Sequence, residues 1–92
     1  DGLISVVSNA VPRLMTELVR EGRAGNLEAA RALHLRLLPW MRAAFVESNP
    51  LPVKAALAMM GRMENVLRLP LVPMAEAKSA VVRSALERAG AL

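Results

Sequence analysis

The 92-residue sequence contains no cysteine and no tyrosine, and it has one phenylalanine, one tryptophan and one histidine. Each scarcity closes a route. Without cysteine there is no disulfide framework and no thiolate metal site, so a reducing cytoplasm is the expected home. A lone histidine, with no second histidine and no acidic cluster beside it, falls short of the three or four ligands a metal needs. The near absence of aromatic residues removes the aromatic interleaving of a nucleic-acid surface, and no recognition helix stands out. There is no glycine-rich phosphate loop, no internal repeat and no low-complexity tract. The longest uncharged run, Gly2 to Pro12, is well short of the ~20 apolar residues that span a bilayer. No basic n-region of a signal peptide precedes it. Neither nucleic acid nor membrane is an expected partner, and no cofactor or metal is expected.

What is abundant is aliphatic. The chain is 54% hydrophobic with six methionines and a mean hydropathy of +0.34, against an apolar share of ~45–50% in ordinary soluble domains. A chain this short buries only about two-thirds of its unfolded surface. The apolar excess therefore calls for self-association or for a packing partner. Net charge is +4, but the arginines are interleaved with glutamates, which reads as solvated helix faces.

The hydrophobic pattern gives one short strand and four helices. Leu3 to Val7 is a β-branched run behind a glycine and reads as a buried strand. Val11, Leu14, Met15, Leu18 and Val19 then fall at helical spacing, with Pro12 suited to the first turn and Gly22–Gly25 ending the helix. Asn26 is placed to cap a second, longer helix, with Glu28 in its first turn. Two apolar stripes on that helix, one through Leu27, Ala30, Leu33, Leu37, Met41 and Ala44 and one through Leu35, Leu38, Trp40 and Phe45, predict burial between neighbours. Pro39 predicts a kink without a stop, because the periodicity continues past it. A third helix follows Asn49, with Pro50 at its first position, and ends at Gly61. Arg62–Met74, with prolines at 70 and 73, cannot be one helix and reads as an extended connector. The fourth helix covers about Ala75 to Ala89, with Val81, Val82, Ala85, Leu86 and Ala89 inward. The fold expected is all-α, an antiparallel or irregular bundle with one N-terminal strand segment.

Candidate chemistry is sparse. Lys54 sits in an apolar setting of the kind that lowers an ammonium pKa in Schiff-base enzymes. No tyrosine, cysteine or carboxylate lies close enough in sequence to complete a proton relay, so Lys54 is expected to snorkel to solvent or pair with Glu47. His34 reads as a hydrogen-bonded residue at the edge of the core. Ser5, Ser8, Ser79 and Ser84 lack a nucleophile-elbow context, and the methionines read as core fillers.

Three segments together resemble one family. "GLISVVSN" (Gly2–Asn9) resembles the eighth barrel strand of dihydrodipicolinate synthase, usually G-V-I-S-V-x-x-N. "FVESNPLPVKAAL" (Phe45–Leu57) looks like that family's F-x-E-x-N-P-I-P-V-K segment, which separates it from its sialic-acid-lyase relatives. "LRLPLVPM" (Leu67–Met74) is similar to its L-R-L-P-x-x-P connector. The resemblance covers essentially the whole chain, in the same order and spacing.

The resemblance implies a (β/α)8 barrel of ~250 residues followed by a C-terminal helical domain. This chain would supply the last strand and barrel helix (residues 1–25) and the helical domain (26–92). The family condenses pyruvate with aspartate semialdehyde through a lysine Schiff base in lysine and diaminopimelate biosynthesis. Its Schiff-base lysine, catalytic tyrosine and threonine-rich carboxylate loop belong to earlier strands. Lys54 matches the motif lysine, which is not the Schiff-base lysine. The resemblance thus implies no catalytic residue in this chain, which is expected to be inactive alone. One position carries over: Ile4 aligns with the residue whose backbone carbonyl faces bound pyruvate, a ligand expected only in the intact enzyme. Ala75 departs from the family's usual Ser or Thr, which weakens the N-cap of the last helix. Homo-oligomerisation through exposed apolar faces of the first and second helices is expected, with Leu3–Val7 either pairing across a dimer or giving up strand geometry. The alternative reading is a free-standing helical interaction or assembly module without catalysis.

Overall fold

The computed structural model describes residues 1–92. It contains four α-helices, α1 (Pro12–Arg23), α2 (Leu27–Ala43), α3 (Leu51–Met59) and α4 (Glu76–Ala89), preceded by a 3₁₀ turn at Val7–Asn9. The four expected helices form. The strand read from Leu3–Val7 does not form, and the segment gives up strand geometry, one of the two outcomes expected of it: residues 1–5 have no regular structure, and the backbone curls into αR geometry at Val6 (φ −68°, ψ −41°). A strand must hand its N–H and C=O groups to a neighbouring strand, and this segment has none. Local side chains take them instead. Ser5 Oγ accepts from the Ser8 N–H (3.1 Å), Ser8 Oγ donates to the Ser5 carbonyl (3.0 Å), and Asn9 Nδ2 donates to the Val6 carbonyl (3.1 Å).

α1 begins with Pro12 in its first turn, as its missing N–H allows. Its inner side buries Met15, with Leu14 and Leu18 packed against the core, whereas Val19, expected inward, is exposed. The helix closes on Gly25 (φ 79°), and the Asn26 N–H returns to the Glu21 carbonyl at 3.0 Å. Asn26 occupies the cap position of α2 but makes no capping bond. Its amide donates to Glu21 Oε2 at 2.8 Å, so it serves the end of α1 rather than the start of α2.

α2 runs unbroken through Pro39, and only its second half is buried, through Leu37, Trp40 and Ala43. Leu27 (72% exposed) and Leu35 are open to solvent, His34 is exposed rather than at the core edge, and Phe45 beyond the helix is exposed too. The cause is the length of α4. That helix runs back along α2 and ends where the Arg36 Nε donates to the Ala89 carbonyl at 2.9 Å. Residues 27–34 lie beyond that point, and Leu35 stands at the open edge of the groove between the two helices.

α3 starts one residue later than expected, with Pro50 at the cap position and Pro52 in the first turn; the Asn49–Pro50 bond is cis. The first helical bond runs from the Lys54 N–H to the Pro50 carbonyl (2.9 Å). Five of its residues, Leu51, Pro52, Val53, Ala55 and Ala56, are buried. The connector that follows has no helix, as expected. Leu67 and Leu71 pack on the core and Met74 is buried, while Val66, Leu69 and Val72 face outward. Lys54 Nζ donates to the Val66 carbonyl. Its expected partner, Glu47, instead pairs with Lys78 at 3.0 Å. The head group of Lys54 thus fastens the connector to α3.

α4 has Ala75 at its cap position without a side-chain bond, as expected from an alanine, and Glu76 in the first turn. Val82, Ala85, Leu86 and Ala89 are buried; Val81, expected inward, is 48% exposed. The core is a single cluster of 17 apolar residues around Trp40, Leu37, Val82 and Leu86, and no polar or charged residue is buried with them. The bundle is elongated, 44 × 26 × 21 Å. Its accessible surface is 6154 Å², nearly a fifth above the ~5,200 Å² that surface scaling gives a folded monomer of this mass. Leu3, Ile4, Leu27, Leu35, Phe45 and Leu69 are among the large apolar side chains left on that surface.

Candidate functional site

The position singled out by resemblance, Ile4, lies in the irregular segment before the 3₁₀ turn, with its side chain fully exposed. Leu3 from the same segment shares a shallow groove with Pro12, Met15 and Val19 of α1. Three residues after Ile4 the geometry becomes fixed. The carbonyl of Val7, whose side chain is buried, accepts a hydrogen bond from the Trp40 indole Nε1–H at 3.1 Å, across 33 positions of sequence. The same carbonyl receives the Ala10 and Val11 N–H groups at 3.4 Å each. An indole in a core has to find an acceptor, since a buried unpaired N–H is costly. Here that acceptor is the backbone of the N-terminal segment. Sequence reading placed Trp40 on an apolar stripe and missed this bond. A lone tryptophan signals that some acceptor is needed without indicating which carbonyl supplies it.

The remaining candidates do not assemble into chemistry. Lys54 is held by the Val66 carbonyl, with no carboxylate or phenol against it. His34 is exposed on α2, Ser79 and Ser84 lie on α4, and Ser5 and Ser8 bond to each other's residues in the turn. No three histidine, aspartate or glutamate side chains come together in a way that could hold a metal ion. One carboxyl has a displaced pKa: Glu21 is held below its ordinary 4.5 by the Asn26 amide first and then by Arg20. It is a half-buried residue of the last turn of α1, and both of its partners lie at the α1–α2 junction, so the shift reports that junction. A second groove, between α2 and α4, has Leu35, Leu38, Pro39, Val46 and Val81 on its walls with Arg42 and Arg88 at its edges. No helix is long and apolar enough to cross a membrane.

The fold is a four-helix bundle whose N-terminal segment is tied to α2 by the Trp40–Val7 bond. Residues 1–89 match the family model described as the dihydrodipicolinate synthetase family, and the chain belongs to that family. It is 54% identical over its full length to the 4-hydroxy-tetrahydrodipicolinate synthase of Thermotoga maritima and 48% identical over 91 residues to that of Nitratidesulfovibrio vulgaris. It superposes on the crystal structure of the Thermotoga maritima dihydrodipicolinate synthase with a TM-score of 0.93, covering 100% of this chain and 31% of that one. The Acinetobacter baumannii enzyme, solved in complex with pyruvate, is 39% identical with a TM-score of 0.92, covering 100% of this chain and 32% of that one. The chain thus spans about a third of the length of the relatives it matches.

Proposed function

We propose that this chain is the C-terminal portion of a 4-hydroxy-tetrahydrodipicolinate synthase, a lyase-class enzyme that condenses pyruvate with aspartate semialdehyde in lysine and diaminopimelate biosynthesis. Residues 1–25 are read as the last strand and helix of the barrel, and residues 26–92 as the appended helical domain. The observation that carries the reading is the end-to-end match, 54% identical over all 92 residues, to one continuous third of the Thermotoga maritima synthase. The irregular Leu3–Val7 segment and the surplus apolar surface agree with it, because a barrel edge would give both a partner.

In this reading the Schiff-base lysine and the tyrosine come from the rest of the enzyme. This chain contributes the Ile4 carbonyl, an acceptor facing pyruvate, in keeping with the rule that barrel sites collect at the C-terminal ends of the strands. The 92 residues alone are inert, act within a cytoplasmic enzyme, and associate with their own kind through exposed faces of α1 and α2. Val19, Leu27 and Leu35 supply the apolar groups for that contact. Borohydride trapping tests the assignment. The intact enzyme is expected to form a pyruvate adduct on a lysine outside these residues, and the isolated chain none. A specific pyruvate adduct on Lys54 would overturn it. Sedimentation of the isolated chain as a stable monomer at micromolar concentration would remove the self-association.

A further inference from the structure

We propose that Trp40 is a positioning residue for the pyruvate site, acting through the Val7 carbonyl on the segment that presents Ile4; this rests on the synthase reading above. Three observations carry it. The indole is the largest fully buried side chain of the chain, and its only polar atom is spent on Val7. The acceptor is a backbone atom three residues from Ile4. The donor belongs to α2, so the bond joins the N-terminal segment to a helix 33 positions away in sequence. The amides of Ala10 and Val11 reach the same carbonyl only at 3.4 Å, at the long end of useful hydrogen-bond lengths. The indole is therefore the firmest of the three hold points on that oxygen.

The physical consequence is a restraint on where the preceding residues can go. A carbonyl fixed at Val7 sets the direction in which residues 4–6 leave it, and a barrel site tolerates little misplacement of a group that must face substrate. Packing alone does not fix that direction, because apolar contacts around Trp40 are not directional. The N–H is.

Trp40→Phe removes the N–H and keeps most of the ring. In the intact synthase it is expected to raise KM for pyruvate by roughly 3- to 10-fold, as the loss of a hydrogen bond would, with kcat and KM for aspartate semialdehyde little changed. Amide exchange at Ala10 and Val11 should quicken by roughly the same factor in the same protein. Leu37→Ala, one turn earlier and equally buried, loosens the core without touching the bond and controls for general destabilisation. Replacing Trp40 by β-(3-benzothienyl)alanine, which keeps the ring volume and lacks the N–H, gives the same readout if Trp40→Phe folds poorly. A pyruvate-specific effect in the Trp40 variants and not in Leu37→Ala supports the proposal. Unchanged exchange at Ala10 and Val11, an unchanged KM for pyruvate, or an equal rise in Leu37→Ala overturns it. An intact protein that does not turn over pyruvate at all refutes the synthase reading instead, a failure visible before any variant is made.

Discussion

Replacing Gly90 by alanine probes the end of α4, where two effects meet. Gly90 has φ 75°, and a non-glycine residue pays about 1–2 kcal/mol to enter that left-handed region. The added Cβ also runs into the guanidinium of Arg36, whose Nε caps the Ala89 carbonyl at 2.9 Å. Arg36 has to move, and its bond to the last turn goes with it, at about 1 kcal/mol. Gly90→Ala is thus expected to destabilise by about 2–3 kcal/mol, and Arg36→Ala by about 1 kcal/mol. Because both variants remove the same cap, the double variant should cost about 1 kcal/mol less than the two added together. Urea unfolding followed by helical circular dichroism measures all three against the parent. Additivity within about 0.5 kcal/mol would refute the reasoning, because it would mean that the backbone conformation and the arginine act independently.

Burial separates two neighbours on α4. Leu86→Ala, at a fully buried position, is expected to cost about 2–5 kcal/mol, while Val81→Ala, half exposed in the α2–α4 groove, should stay within about 0.5 kcal/mol. The same unfolding assay checks both. The Glu21 carboxyl is depressed below 4.5 by Asn26 and Arg20, so its contribution to the α1–α2 turn is fully present above the ordinary value and is lost as pH falls through the lowered one. Asn26→Ala should bring the Glu21 titration, followed by the side-chain carboxyl carbon in NMR, back toward 4.5. An unmoved titration would contradict the assigned cause. Ala75→Ser supplies the missing side-chain acceptor at the start of α4 and is expected to stabilise by about 0.5–1 kcal/mol in thermal or urea unfolding.

The helices were legible because their apolar residues repeat at helical spacing and because glycines and prolines mark their ends. Gly25, Gly61 and Gly90 all stand at positive φ where helices close. Leu3–Val7 misled for a physical reason. β-Branched runs favour strands only when a sheet is there to receive them, and without one the Ser5–Ser8 and Asn9–Val6 bonds win. Val19, Leu27, Leu35 and Val81 were assigned to the core by periodicity, which reports an apolar face without reporting what covers it. Polar pairings were the least legible. Glu47 chose Lys78 over Lys54, and Asn26 chose Glu21 over its own helix, because such partners are set by tertiary packing. The candidate site follows the same division. Ile4 came from motif resemblance, which carries a position, whereas the Trp40–Val7 bond needed three-dimensional structure.

If these 92 residues are the C-terminal third of a synthase, as proposed, they should replace the corresponding part of a relative. Grafting them in place of the matching 31% of the Thermotoga maritima enzyme and measuring condensation of pyruvate with aspartate semialdehyde tests it most directly. The expected chimera is folded and active, with pyruvate-dependent turnover. A chimera that folds to the parent's helical content, traps pyruvate on no lysine and turns over no substrate would contradict the account.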